Sequence, residues 1–163
     1  MRAIDFGVNT SSFSWRVTLL LALTMATMAP NAFGTLGGDA GSVQSDVVRM
    51  QGSLRSTSQA AFTVHEIKAL SGTVVREYVS PGGTVFAVSW HGSALPNMRQ
   101  LLGSYFEQYQ QAFQSQASGR VRKPIHVEKP GLVVNFGGHM RSFTGTVYVP
   151  EMMPRGMRAE EIR

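Results

Sequence analysis

Histidine and glutamate on neighbouring strands are the residues of this chain that invite a chemical reading. In the stretch AFTVHEIKAL-SG-TVVREYV, a three-residue loop Leu70-Ser71-Gly72 sets His65 opposite Glu77, Glu66 opposite Arg76 and Ile67 opposite Val75. The alternative two-residue loop sets Glu66 against Glu77. Opposite charges across a strand pair contribute roughly 0.2–1 kcal/mol and like charges cost as much, so the longer loop is expected. Gly72 then takes the left-handed bulge position of such hairpins. Continuing the meander pairs Val75 with Val88, Glu77 with Phe86 and Val79 with Thr84. One face collects Ile67, Val75, Val79, Phe86, Val88 and Trp90 around His65 and Glu77. The other holds Glu66, Arg76, Tyr78, Val85 and Ala87.

A histidine beside a carboxylate has the makings of a general base. The plainer reading is an ion pair at the sheet margin that fixes register. Hydrolysis also needs a nucleophile, and no Gly-x-Ser-x-Gly elbow is present. Past residue 34 the only aspartates are Asp39 and Asp46. The four histidines, His65, His91, His126 and His139, show no HExxH or other close ligand spacing, so no metal site and no cofactor are expected. Met152, Met153 and Met157 cluster without a histidine nearby, which suits core filling. Gly137-Gly138-His139-Met140-Arg141 is either a plain hairpin turn or a backbone nest for an anion with Arg141 as its clamp. The candidate catalytic set is thus His65, Glu77 and His139, and the candidate binding set is Arg76, Tyr78 and Arg141.

The elements that must position these residues follow from periodicity and punctuation. Val43, Val47, Met50 and Leu54 recur at helical spacing, predicting a first helix over about 42–56 with Ser42 as cap. Three runs rich in Val, Thr and aromatics make an antiparallel meander over about 62–90. Pro96 suits the first turn of a second helix, about 96–116, whose apolar stripe runs from Met98 to Phe113. Residues 118–124 read as a linker and 125–127 as a short strand. Leu132–Phe136 and His139–Val149 flank Gly137-Gly138 as a second hairpin. The 151–163 segment, with Pro154 and Gly156, reads as a partly ordered tail. The expected fold is α+β: an antiparallel sheet of about five strands with two helices, the second packed on one sheet face.

The opening residues carry an address. Arg16 ends a sparsely charged lead, Val17–Ala29 is an apolar run, and Ala32-Phe33-Gly34 offers small side chains at the −3 and −1 positions. That is the layout of a secretory signal peptide, 1–34, cleaved after Gly34. The apolar run falls short of the roughly 18–20 residues a membrane span needs, so no stable insertion is expected after cleavage. The remainder, 35–150 plus the tail, is one domain's worth of chain, large enough for a core. The chain has no cysteine, which excludes thiol redox chemistry, a thiolate metal site and a lipoprotein anchor. Setting aside Arg2, Arg16 and Asp5 leaves 13 Lys and Arg against 9 Asp and Glu. No basic run exceeds Arg120-Val121-Arg122-Lys123, and no aromatics interleave it, so nucleic acid is not an expected partner.

SGTVVREYVSPGGTVFAVSW (71–90), preceded by FTVHEIKALSG and followed by LPNMRQLLGSYF (95–106) and GGHMRSF (137–143), resembles a family of exported proteobacterial proteins, domain of unknown function 2844. The likeness covers about 36–150, and Val-Arg-Glu-Tyr-Val-Ser-Pro is its most specific part. It implies a Gram-negative periplasmic or secreted protein, implies nothing about activity, and carries no catalytic residues over. With no recognisable nucleophile, metal motif or cofactor loop, and a fold of a kind often used for binding, the residues point to a non-catalytic module that binds an envelope protein, peptide or glycan. The rival is a small hydrolase-like enzyme built on His65 and Glu77, with His139 or Arg141 converging from the second hairpin. A third possibility is assembly through a free sheet edge.

Overall fold

The computed structural model describes residues 35–117 and 124–163. The expected leader, 1–34, and all but Pro124 of the expected linker 118–124, with its Arg120–Lys123 run, lie outside the described residues. The described residues all belong to one compact unit.

Asp39 begins the first helix, α1 (Ala40–Arg49): its extended backbone leaves the side chain free to accept the Ser42 N–H at 3.1 Å. Asp39, not Ser42, is therefore the cap. Val43 is buried and Val47 and Met50 pack beside it, as their spacing requires. The helix does not continue to 56. Gln51 turns left-handed (φ 48°) and Gly52 presses on the Lys68 backbone, where a Cβ would lie 2.8 Å from the carbonyl oxygen. The chain then runs out as strand β1 (Ser53–Ser58), and Leu54, which fits the helical spacing, lies exposed on that strand.

β2 (Thr63–Lys68) and β3 (Val74–Val79) pair in the expected register: His65 opposite Glu77, Glu66 opposite Arg76, Ile67 opposite Val75. Gly72 is left-handed at φ 83°, and the Arg76 Nε donates to Glu66 Oε2 at 2.8 Å. The register of β3 with β4 (Val85–Gly92) differs from expectation. Val75 faces Trp90, Glu77 faces Val88, Tyr78 faces Ala87 and Val79 faces Val85. The shift at Tyr78/Val79 leaves Phe86 without a partner, a one-residue bulge. Val85 accordingly joins the helix-side core while Phe86 and Ala87 both join the opposite cluster.

Asn97 caps the second helical segment, its side chain accepting the Gln100 N–H at 3.2 Å, so Pro96 lies just outside it. That segment is not one rod. α2 (Met98–Leu102) breaks at Gly103 into a 3₁₀ turn (Gly103–Tyr105), and α3 (Phe106–Ala117) follows. β5 (Ile125–Lys129), β6 (Leu132–His139) and β7 (Ser142–Tyr148) complete the sheet. Their turns fall at Pro130-Gly131 and Met140-Arg141. Gly137 and Gly138 are therefore strand residues and not the expected turn. Gly138 has φ 107°, and a Cβ there would sit 2.0 Å from the Ser142 carbonyl oxygen.

The sheet has seven strands, two more than expected, all antiparallel in the order β1-β2-β3-β4-β7-β6-β5. The helices cover one face, where Ile67, Val75, Val88, Leu101, Leu102 and Val147 are fully buried. The other face carries a smaller cluster of Phe62, Tyr78, Phe86, Ala87 and Ile162, against which Met152, Met153 and Met157 pack. The segment expected as a partly ordered tail thus lies on the sheet. Burial of Ile162 and hydrogen bonds to Arg163 hold its end there. Among the described residues, no helix is long and apolar enough to cross a membrane.

Candidate functional site

Alternation along β3 sends Arg76 and Tyr78 to one face and Val75, Glu77 and Val79 to the other. Glu77 lands beneath the helices with no exposure at all. It does not engage His65, although the two face each other across the strands. His65 Nδ1 lies 2.8 Å from Ser56 Oγ instead, and partial burial holds its pKa below the ordinary value. Glu77 turns towards α1. Its Oε1 lies 3.3 Å from the Thr35 hydroxyl, which donates to Asp46, and Asp46 also accepts from the Gln100 side chain on α2.

Burial pushes the Glu77 acid up to about 9, and the negative charge of Asp46 adds to that. Asp46 is raised too, by burial, but Gln100 and the Arg49 charge oppose the rise. The pair therefore divides its labour. Glu77 is the group that keeps its proton, held there by burial and by the Asp46 charge beside it, and its Oε2 has no hydrogen-bond partner. Two acids kept apart in proton affinity are the material of acid–base chemistry. Here, however, both are buried, Glu77 at 0 % and Asp46 at 1 % exposure.

His139 stands elsewhere. It ends β6, four strand-to-strand steps from His65 on β2, roughly 19 Å across the sheet before any displacement along the strands. The structure therefore does not bring His65, Glu77 and His139 together. Nor does Arg141 clamp an anion nest: it occupies the β6–β7 turn itself, exposed, with φ 68°. Among the described residues no group of three His, Asp or Glu side chains gathers as a metal site would require.

Arg76 and Tyr78, the remaining candidates, are bound within the molecule. The Tyr78 hydroxyl donates to the Arg163 main-chain oxygen at 2.7 Å and accepts its N–H at 2.8 Å; Ser89 and Arg76 donate to the same oxygen at 2.7 and 3.1 Å. They border a polar cleft of about 390 Å³ lined by Arg55, Glu66, Glu161 and Arg163. A larger and more apolar groove, about 870 Å³, opens at the β6–β7 tip. Ile125, Phe136 and Phe143 line it, Gly137 and Gly138 expose their backbone to it, and Met140 is 87 % exposed at its rim. Phe136 is braced from behind by Phe113 (5.5 Å, edge-on) and Trp90 (6.3 Å), and it stacks on Phe143 at 6.5 Å.

The groove was missed in the sequence because Gly137-Gly138 reads as a turn. Asp46 was missed as the partner of Glu77, although a signal exists: it sits among Val43, Val47 and Met50, a charged residue on an apolar stripe.

The fold is that of an α+β domain, one antiparallel sheet with helices on one face. Its sequence matches the family described as protein of unknown function (DUF2844) over residues 32–162, and the chain belongs to that family. No curated protein and no solved structure matches it.

Proposed function

We propose that this chain is an exported, non-catalytic binding module of the periplasm or extracellular space, and that it takes an apolar segment of a partner polypeptide into the β6–β7 tip groove. One observation carries the reading: a side chain as apolar as Met140 stands almost fully in water beside a groove with an aromatic wall. Methionine at a rim adapts to varied apolar surfaces, and a braced aromatic wall loses little freedom on binding. The lining favours peptide side chains over the hydroxyl-rich surface of a glycan. A hydrolase built on His65 and Glu77 lacks support, since Glu77 is sealed and His139 is distant.

A photo-reactive residue at position 140 tests this, with one at Val48, exposed on α1, as control. In the producing cell, position 140 should cross-link to a polypeptide that position 48 does not capture, and Phe143→Asp should abolish the adduct. Equal capture from both positions, or none from 140, removes the groove as the binding surface.

A further inference from the structure

Thr35 is the residue at which the expected leader would be severed, and it is fully buried. A new chain start is ordinarily loose and exposed. Here the residues after it are fastened at once: the Leu36 N–H bonds Leu101 O at 2.9 Å and the Gly37 N–H bonds Val85 O at 2.8 Å. The Thr35 hydroxyl touches both Asp46 and Glu77, the latter at 3.3 Å. By covalent geometry, the nitrogen of a threonine lies within about 4 Å of its own Oγ1, so this one is held within about 7 Å of Glu77 Oε1. Beside it, the buried Glu77 Oε2 accepts no hydrogen bond.

We propose that leader removal sets the α-ammonium of Thr35 on the Asp46–Glu77 pair, making the new chain start an internal counter-ion. The inference rests on the export reading. Hydrolysis of the Gly34–Thr35 peptide bond consumes one water, leaves a carboxylate on Gly34 and frees an amine on Thr35 that takes up a proton near neutral pH. Before scission, Glu77 must keep its proton, because Asp46 already carries the charge. Afterwards the ammonium offers donors and a positive charge, and Glu77 ionises against it. Among the described residues, the Arg49 charge on α1 acts on Asp46 and His65 on β2 stands opposite Glu77; Gln100 on α2 adds an uncharged donor.

The test uses the protein expressed with its own leader and recovered from the cell, its first residue fixed by mass mapping. It is then treated at pH 7 with a limiting amine-acylating reagent. An α-amine ordinarily reacts ahead of lysine, because its pKa is about 7.7–8.0 against about 10.4. The Thr35 amine is expected to lag behind exposed Lys68 and Lys129, and to react about tenfold slower than in the same protein unfolded in urea. Glu77→Gln should speed it without changing Lys68. A chain that starts at Thr35 and is acylated at the unfolded rate overturns the inference and leaves export standing, and so does an unchanged rate in a folded Glu77→Gln protein. If that variant does not fold, the wild-type comparison decides. An uncleaved leader or a different first residue overturns both readings.

Discussion

The two faces of this sheet are built from alternate residues of the same strands, yet they are covered in different ways. On the helix side, Leu101 and Leu102 seal a continuous apolar core against which the acids Glu77 and Asp46 are buried together with Thr35. On the other side, a row of polar side chains crosses all seven strands: Arg55, Glu66, Arg76, Ser89, Thr146, Asn135 and His126 stand in register. His126 and Asn135 are 2.5 Å apart, and Asn135 donates to Thr146 at 3.1 Å. The cover there is the irregular 150–163 segment, held by Ile162 and main-chain bonds to Arg163. Rigid helices make burial obligatory on one face, whereas a segment tied at its end can lift from the other.

Cavity variants should break that symmetry most strongly. Leu101→Ala, at a fully buried site under fixed helices, is expected to cost about 2–5 kcal/mol in denaturant unfolding. Ile162→Ala should cost about 1–2 kcal/mol, because the segment can relax or detach. Hydrogen exchange would show the difference directly: Ile162→Ala exposes the Arg163 amide without loosening β4. Equal costs would mean that both covers fold as one unit. Gly145→Ala comes next. A Cβ at Gly145 would lie 2.3 Å from Trp90 Cζ2, so the ring must shift or the strand must bend, at about 1–3 kcal/mol of overpacking.

How much of this was legible in the sequence depended on how many physical signals agreed. The β2–β3 register was readable because unlike charges at Glu66 and Arg76 and a glycine at 72 all specify one loop. The β3–β4 register was not, since Val85-Phe86-Ala87-Val88 is apolar throughout and alternation cannot say which residue is the bulge. Ser-Leu-Arg-Ser-Thr-Ser hid β1, because its one large apolar side chain, Leu54, falls on the spacing of α1. The expected His–Glu pair was right in position and wrong in chemistry. Strand register fixes who stands opposite, but Thr35 and Asp46 come from other parts of the chain and compete for the same carboxyl group.

Titration should separate the faces next. With residues 1–34 attached, Glu77 holds its proton up to about 9 when folded against an ordinary 4.5 when unfolded. The native state therefore binds more protons between these values. The associated stability is complete below about pH 4.5 and is lost as pH rises towards 9, by at most about 1.4 kcal/mol per pH unit. Asp46, also raised, acts in the same direction. Glu77→Gln should flatten the melting-temperature profile between pH 5 and 9. A slope unchanged from wild type would mean that the proton sits elsewhere.

One residue away on the same strand, the smallest effect is expected. Arg76 and Glu66 pair at 2.8 Å on the open face, with about a third of each side chain in water (36 % and 35 %). Exposed pairs of this kind contribute about 0–1 kcal/mol, since solvent already stabilises both charges. Glu66→Gln should therefore move the unfolding midpoint slightly at low salt, and hardly at all at 1 M, where the screening length falls to about 3 Å. Arg76→Gln should cost somewhat more and keep part of that cost in salt, because it also removes a donor from the Arg163 main-chain oxygen. A large, salt-resistant loss in Glu66→Gln would show that the tail-side face is as tightly sealed as the face holding Glu77, and the contrast between the two would no longer stand.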